Sequence, residues 1–349
     1  AGAGRFAIRA TNFTFHDMVA TVRAATLLNY AEVARQVGLN PVRMLRLVDI
    51  DLRALAHPDL RIPAVNVGAL LEVSALESAC ETFGLRMAES RQLSDFGALS
   101  LLIRHQPTLR EVLATLSQYR DLLNETLAIQ VEETDRTVIV REDFLIPMPA
   151  GGRQAYELAI GVLYRIFRAL LGARWQALSV NFTHAPPQDL LVHRRLFGTE
   201  LAFNSAFNGV VCASDDLDRI NPTADPAMAG YARNFVETLP RAGRHTVVGE
   251  VQKAIHLLLP AGEASLERVA DSVGLNPRSL QRRLADQGAE FRQLLDEVRG
   301  DLALRYLGND AHSLTHIAQM LGYSQISAFT RWFSARFGMS PSAWRKRRA

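Results

Sequence analysis

Six side chains in the last third of the chain share one kind of chemistry: Arg278, Gln281 and Arg282, then Ser327, Thr330 and Arg331. Within each set the spacing is three and four residues, which a helix would gather on one face. Arg can pair with guanine, Gln with adenine, and Ser or Thr with several bases, so each face could read base edges in the major groove of double-stranded DNA. For each Arg, a phosphate contact or an ion pair within the protein stays open as the alternative.

The elements that must carry these faces occur twice. "SLERVADSVGLNPRSLQRRLADQG" starts at Ser265 and "SLTHIAQMLGYSQISAFTRWFSARFG" at Ser313. Both open with Ser, a helix N-cap, followed by an apolar residue. Ala270 and Gly274 correspond to Ala318 and Gly322 at a constant offset of 48. The pattern predicts two short helices with a tight turn: the small Ala lets helices cross closely, and Gly releases the chain where a Cβ would be opposed. Leu280 and Leu284, or Phe329 and Phe333, would then bury one side of the second helix and leave the polar side free. The second copy carries one extra residue after its Gly.

"GYSQISAFTRWFSARFGMSPSAWR" matches the Gly-Tyr-Ser, Ser-x-Phe-x-Arg-x-Phe, Phe-Gly-x-Ser-Pro and aromatic-Arg pattern of AraC/XylS-type bacterial transcription regulators, so the region from Val247 to Arg348 resembles their DNA-binding domain. The first copy is looser, with Arg283 and Leu284 where that pattern often has an apolar residue and Phe. The resemblance implies two helix-turn-helix units, about 265–287 and 313–336, joined by one long helix. It also implies recognition helices in successive major grooves about 34 Å apart. "FRQLLDEVRGDLALRYLG" suits the joining helix, although Gly300 in its middle should cost about 1 kcal/mol relative to Ala.

Charge is distributed accordingly. From Arg241 onward there are 16 Lys/Arg and 10 Asp/Glu, against 23 and 26 in the remainder. From Ala311 to Ala349 there is no acid at all, and six bases lie from Arg331 onward. Such an asymmetry points toward nucleic acid or an anionic membrane surface. The closing "RKRR" (Arg345 to Arg348) reads as a phosphate-facing tail. Trp332 and Trp344 read as packing residues, and His312 and His316 as capping or surface histidines, since no nearby carboxylate or Cys completes a metal set.

The 349 residues, 48 % of them hydrophobic, can fill two cores. No run of about 18 apolar residues appears, so no membrane-spanning helix is expected, and "AGAGRFAIRATNF" lacks the layout of a secretory signal; a membrane is not among the expected partners. Cys80 and Cys212, 132 positions apart, argue against a disulfide framework or a Cys-based zinc site and fit a reducing cytosol, so a cytoplasmic location is expected. Neither a Gly-rich phosphate loop, nor HExxH, nor GxSxG is present. DNA-repair methyl acceptors with this type of DNA-binding domain need an N-terminal Cys cluster that this chain lacks. No enzymatic role and no cofactor are expected.

Upstream, helical spacing runs through "MVATVRAATLLNYAEVARQVG", ending at Gly38. It continues in "PAVNVGALLEVSALESACETFG", from Pro63 to Gly84, and in "PTLREVLATLSQYRDLLNET", with Thr108 and Glu111 as a capping box. "LAIQVEE" and "RTVIVRED" read as a hairpin, followed by a long amphipathic helix in "GGRQAYELAIGVLYRIFRALLG" and strands in "ALSVNFTH" and "GVVCAS". On that helix Tyr156, Tyr164, Phe167 and Arg168 form a stripe that reads as core rather than as a ligand site. The expected fold class is therefore an α+β N-terminal domain with an all-α C-terminal domain holding two helix-turn-helix units joined by a long helix. The boundary falls near Pro240 to His245, giving domains 1–240 and 241–349.

The segments from Tyr30 to Glu77 and from Asp95 to Glu125 resemble the sensor domain, labelled arabinose-binding-like, of one branch of that regulator family. The resemblance implies a small-molecule effector bound by the N-terminal domain and, more commonly than repression, activation through RNA polymerase. A domain that only dimerises or binds another protein is the alternative, and a homodimer is left open.

Overall fold

In the computed structural model, residues 20–239, 247–260, 262–308 and 312–348 are described. The boundary expected at Pro240 to His245 lies outside them. On either side of it the buried apolar residues fall into two separate cores, one running from Val22 to Val236 and one from Val251 to Phe333.

The first core begins with strands β1 (Thr21–Arg23) and β2 (Arg61–Pro63) and helices α1 (Tyr30–Gln36), α2 (Pro41–Leu47), α3 (Ala64–Ser78), α4 (Phe83–Glu89), α5 (Ala98–Arg104) and α6 (Leu109–Gln118). The hairpin is present as β3 (Leu127–Glu133) and β4 (Thr137–Phe144), leading into α7 (Arg153–Leu171). After β5 (Ser179–Asn181), helix α8 (Leu191–Phe197) crosses over to β6 (Glu200–Ala202), which pairs parallel with β5. Strand β7 (Gly209–Ala213) completes a five-stranded sheet of order β3-β4-β7-β5-β6, and α9 (Pro226–Thr238) closes the region. Val138 and Val140 of β4 and Val210 of β7 are buried together with Ile160, Leu163 and Phe167 of α7, so the helix covers the inner face of the sheet.

Three expectations are corrected here. The first helical stretch is not one helix: Thr21–Arg23 pair antiparallel with Arg61–Pro63, and only Tyr30–Gln36 is α-helical before Gly38 turns with φ 81°. The second does not run to Gly84. Helix α3 stops where Ala79 turns left-handed, and Gly84 lies inside α4. A Cβ on Gly84 would collide with the carbonyl oxygen of Gln154, so this Gly permits α4 to cross α7 closely and does not end a helix. Thr108 does cap α6 by accepting from the Glu111 N–H, but the Glu111 carboxylate takes the Thr108 hydroxyl, so the reciprocal box is not formed. The stripe Tyr156, Tyr164 and Phe167 is buried core, as expected.

The second core is all-helical: α10 (Val247–Leu258), α11 (Leu266–Ser272), α12 (Pro277–Ala285), α13 (Phe291–Leu307), α14 (Leu314–Met320), α15 (Ile326–Phe337) and α16 (Pro341–Arg348). Gly300 sits mid-helix in α13 for a packing reason. A Cβ there would stand 2.7 Å from Arg336 Nε, so its absence admits the Arg336 side chain.

Candidate nucleic-acid interface and an internal cavity

Each repeated unit folds as its caps and turns dictate. Ser265 accepts from the Arg268 N–H at 3.2 Å and Ser313 from the His316 N–H at 3.1 Å, fixing the starts of α11 and α14. Gly274 and Gly322 turn with φ 68° and 75°, a left-handed conformation that a side chain would oppose. Ala270 and Ala318 are buried where the helices meet. Asn276 caps α12 by accepting from the Ser279 N–H at 2.8 Å, and Pro277 occupies the first turn. Leu280 and Leu284 on α12, and Phe329 and Phe333 on α15, are all buried. Trp332 packs edge-on to Phe333 and beside Tyr323, and Trp344 packs against the same core.

Burial of one side of α12 and α15 leaves the opposite side outward. Arg278, Gln281 and Arg282 are exposed on α12. On α15, Ser327 and Arg331 are exposed while Thr330 is half-buried, and Ser327 Oγ donates to Gln325 Oε1 at 3.4 Å. Among the described residues Arg278, Arg282 and Arg331 make no ion pair, in contrast to Arg268, which is held by Glu263 at 2.6 Å. The structure thus gathers each set of three on one helix face and, among the described residues, leaves its three guanidinium groups without an ion pair.

Some positioning residues were not apparent in the sequence. Arg299 of α13 donates from Nε to the Leu321 carbonyl at 3.1 Å and stacks over Tyr323 at 5.0 Å, holding the turn of the second unit. Arg345 is not part of a free tail. Its Nη2 donates to the His312 carbonyl at 2.9 Å and its Nε to the Leu307 carbonyl at 3.4 Å, tying α16 to the end of α13. Lys346 and Arg347 remain exposed. His312 is buried against Tyr306 and beside His316, and burial pushes it below the ordinary histidine value, helped by His316 and Arg345.

Behind this region, a cavity of about 170 Å³ lies within the first core. Val67 and Leu71 of α3, Leu158 and Val162 of α7, and Ile129 and Phe144 of the hairpin form its apolar wall. The face of α7 that it uses is not the one carrying Tyr156, Tyr164 and Phe167. Charged groups also reach the wall: Arg23, Arg91, Arg120, Asp95 and Glu142. Arg91 is buried and donates to the carbonyls of Ala25 and Thr26, with Asp95 at 3.9 Å. Burial pushes it down to about 10 against the opposing pull of Asp95. Glu142 is 3 % exposed, and burial, with Asp143 adding to it, pushes its carboxyl up to about 8.

The hairpin that walls the cavity touches the C-terminal helices with its other face. Arg305 of α13 donates to the Phe144 carbonyl and lies 3.6 Å from Asp143, while Gln130 donates to the Leu257 carbonyl at 3.4 Å. Lys253 of α10 pairs with Asp121 at 3.0 Å, beside Arg120.

Two helix-turn-helix units on one core, joined to an α+β body with an internal cavity, define a DNA-binding transcription regulator with a sensor-like domain. Residues 38–221 match the arabinose-binding domain found at the N-terminus of AraC transcription regulators, and residues 269–347 match a helix-turn-helix domain. The HTH-type transcriptional regulator VirS of Mycobacterium tuberculosis is 30 % identical over 331 residues, 94 % of this chain and 97 % of that protein. The Ornithine utilization regulator of Pseudomonas aeruginosa is 25 % identical over 337 residues, 96 % and 98 % of the two chains. The crystal structure of transcriptional regulator CdpR from Pseudomonas aeruginosa covers 87 % of this chain and 96 % of its own at 22 % identity and a TM-score of 0.41. The chain belongs to the AraC-type transcription regulators that carry this N-terminal domain. Among the described residues no helix is long and apolar enough to cross a membrane.

Proposed function

We propose that the chain is a cytoplasmic, sequence-specific regulator whose residues 241–349 read double-stranded DNA and whose residues 1–240 sense a small molecule in the cavity. The observation that carries this reading is the pair of outward helix faces, each with Arg uncommitted to any acid among the described residues. Arg278, Gln281 and Arg282 address one major groove, and Ser327, Thr330 and Arg331 the next. An effector that binds one domain arrangement more tightly than another shifts the population toward it, exposing or withholding the two faces. Contact with RNA polymerase, and hence activation, is the output we favour from the family resemblance.

Selection of a bound duplex from a random DNA pool, at near-physiological salt, tests this. Two enriched elements about one helical turn apart support it. Absence of enrichment both with the full chain and with residues 241–349 overturns it.

One observation favours a homodimer in addition. On α9, Met228, Tyr231 and Phe235 are 41 %, 72 % and 53 % exposed at helical spacing, an apolar row on a solvent face. Light scattering of the protein and of a Tyr231→Glu variant tests it. A dimer that the variant dissociates supports the reading, and a monomer at every concentration removes it.

A further inference from the structure

The cavity's charged groups are unequal in one respect. Arg23 is met by Asp59 at 2.7 Å, Arg120 by Asp121 at 3.4 Å, and Arg91 by two carbonyls and Asp95. Asp95 accepts from the Gln92 N–H at 3.0 Å as well as facing Arg91. Arg91 Nε lacks a hydrogen-bond partner, yet the charge it belongs to is already shared among three acceptors. Glu142 differs. Its Oε2 has no hydrogen-bond partner, and its carboxyl makes no ion pair among the described residues.

Its orientation is set by the strand. Side chains of β4 alternate, so Val138, Val140, Glu142 and Phe144 share the buried face, while Arg141 and Asp143 take the other. Ile129 stands opposite Glu142 in the β3–β4 register, and both line the cavity. An acid in that row interrupts an otherwise apolar face, and among the described residues no base pairs with it and its Oε2 has no hydrogen-bond partner. Burying an unpartnered polar group opposes folding, so a partner supplied from outside would bind there with a gain that no apolar wall residue offers.

We propose that this cavity takes a compact, largely apolar molecule bearing one basic nitrogen, with Glu142 as its counter-charge. The proposal rests on the reading of the cavity as an effector site and names the chemical class of the effector. Size guides the choice of probe: an engineered cavity of about 150 Å³ in another protein holds benzene, so a probe of about six non-hydrogen atoms suits a space of this volume. An alkylammonium ion of that length places its chain against Leu71, Leu158 and Val162 and its nitrogen against Glu142. Burial pushes the Glu142 carboxyl up to about 8, which favours its protonated form at neutral pH when no base faces it. Binding of the ammonium form therefore ionises Glu142 and releases about one proton to solvent.

The test is calorimetric titration of the full-length protein with n-pentylamine, n-pentanol and n-pentanoate at pH 7, in two buffers of different ionisation enthalpy. Pentylamine is expected to bind at least tenfold more tightly than pentanol, with release of about one proton. In Glu142→Gln it should lose at least tenfold while pentanol is unchanged, and the proton release should vanish. The proton count on the unaltered protein needs no variant, so it stands even if the substitution disturbs folding. Preference for pentanoate, an amine affinity indifferent to Glu142→Gln, or no binding by any probe overturns the proposal. DNA affinity measured with each bound probe separates the two levels. If pentanol or pentanoate changes DNA affinity while the amine does not bind, the effector reading survives and the amine class falls. If pentylamine binds through Glu142 but leaves DNA affinity unchanged, the ligand class survives and the effector reading falls.

Discussion

The Arg305 guanidinium donates to the carbonyl oxygen of Phe144 at 2.6 Å, so a side chain of the helix that joins both helix-turn-helix units grips the last residue of the strand that walls the cavity. Asp143, next to it, faces the same guanidinium from the strand's outer side. Glu142 and Phe144 look inward and Asp143 outward, so the hairpin is a single layer between the cavity and α13.

Loss of this grip should uncouple the two cores. Arg305→Met is expected to destabilise the protein by about 1–2 kcal/mol, the modest value reflecting a contact that is only partly buried. Differential scanning calorimetry should then resolve two transitions where the unaltered protein shows one. A single transition shifted as a unit would mean that Lys253, Gln130 and the apolar contacts suffice to join the cores.

The outward faces of α12 and α15, as proposed DNA readers, make a sharper prediction. Arg282→Ala and Arg331→Ala should each weaken binding to a selected duplex by about 1–3 kcal/mol and barely affect random DNA. Lys346→Ala should weaken both equally and lower the slope of log affinity against log salt by about 1. Equal losses on both DNAs for the arginines would assign them to phosphate.

Packing of the second unit depends on two rings. Phe333→Ala should cost about 3–5 kcal/mol, because the buried ring leaves a hole that neighbours fill only in part. Leu284→Ala in the first unit should cost about 2–5 kcal/mol. Urea denaturation checks both.

Stability should fall away on both sides of a middle pH. Glu142 has its carboxyl raised from 4.5 to about 8, so the protonated form that the fold prefers is fully present at low pH, and its contribution is lost as pH rises through that interval. His256 behaves oppositely. Burial, with Arg305 and Arg120 adding to it, pushes it from 6.5 to about 3. The neutral ring's contribution is therefore complete above 6.5 and is lost as pH falls toward 3. Glu142→Gln should flatten the alkaline limb and His256→Gln the acid limb, as read from urea midpoints between pH 4 and 9.

Where the sequence could be read, the cause was local. Ser265 and Ser313 cap helices that begin at the next residue, Gly274 and Gly322 set a turn by their own φ, and Leu280/Leu284 and Phe329/Phe333 are neighbours on one helix. Where it misled, the cause lay far along the chain. Thr21–Arg23 are extended because Arg61–Pro63 lie alongside, and Gly84 is needed by Gln154, 70 positions away. The cavity was hidden for a related reason. Leu158, Val162 and Ile166 look like any apolar row until the hairpin and α3 stand back from them. Glu142, in "VREDF", reads as one more polar residue of an alternating strand, and only the neighbouring strands show that its side of the sheet is the buried one.

Helix α13 has 17 residues and no break, and at 1.5 Å per residue it spans about 25 Å. Each residue also turns the chain by about 100°. Adding or deleting one would swing α14 to α16 around the axis by about 100°, so the outward face of α15 would no longer keep its present orientation relative to that of α12. The buried Leu294, Val298, Leu302 and Leu307 of α13 fix which face meets the core, and the length of the helix behaves as a gauge. Evolution of a new operator spacing would have to go through whole-turn changes in α13, or through the DNA.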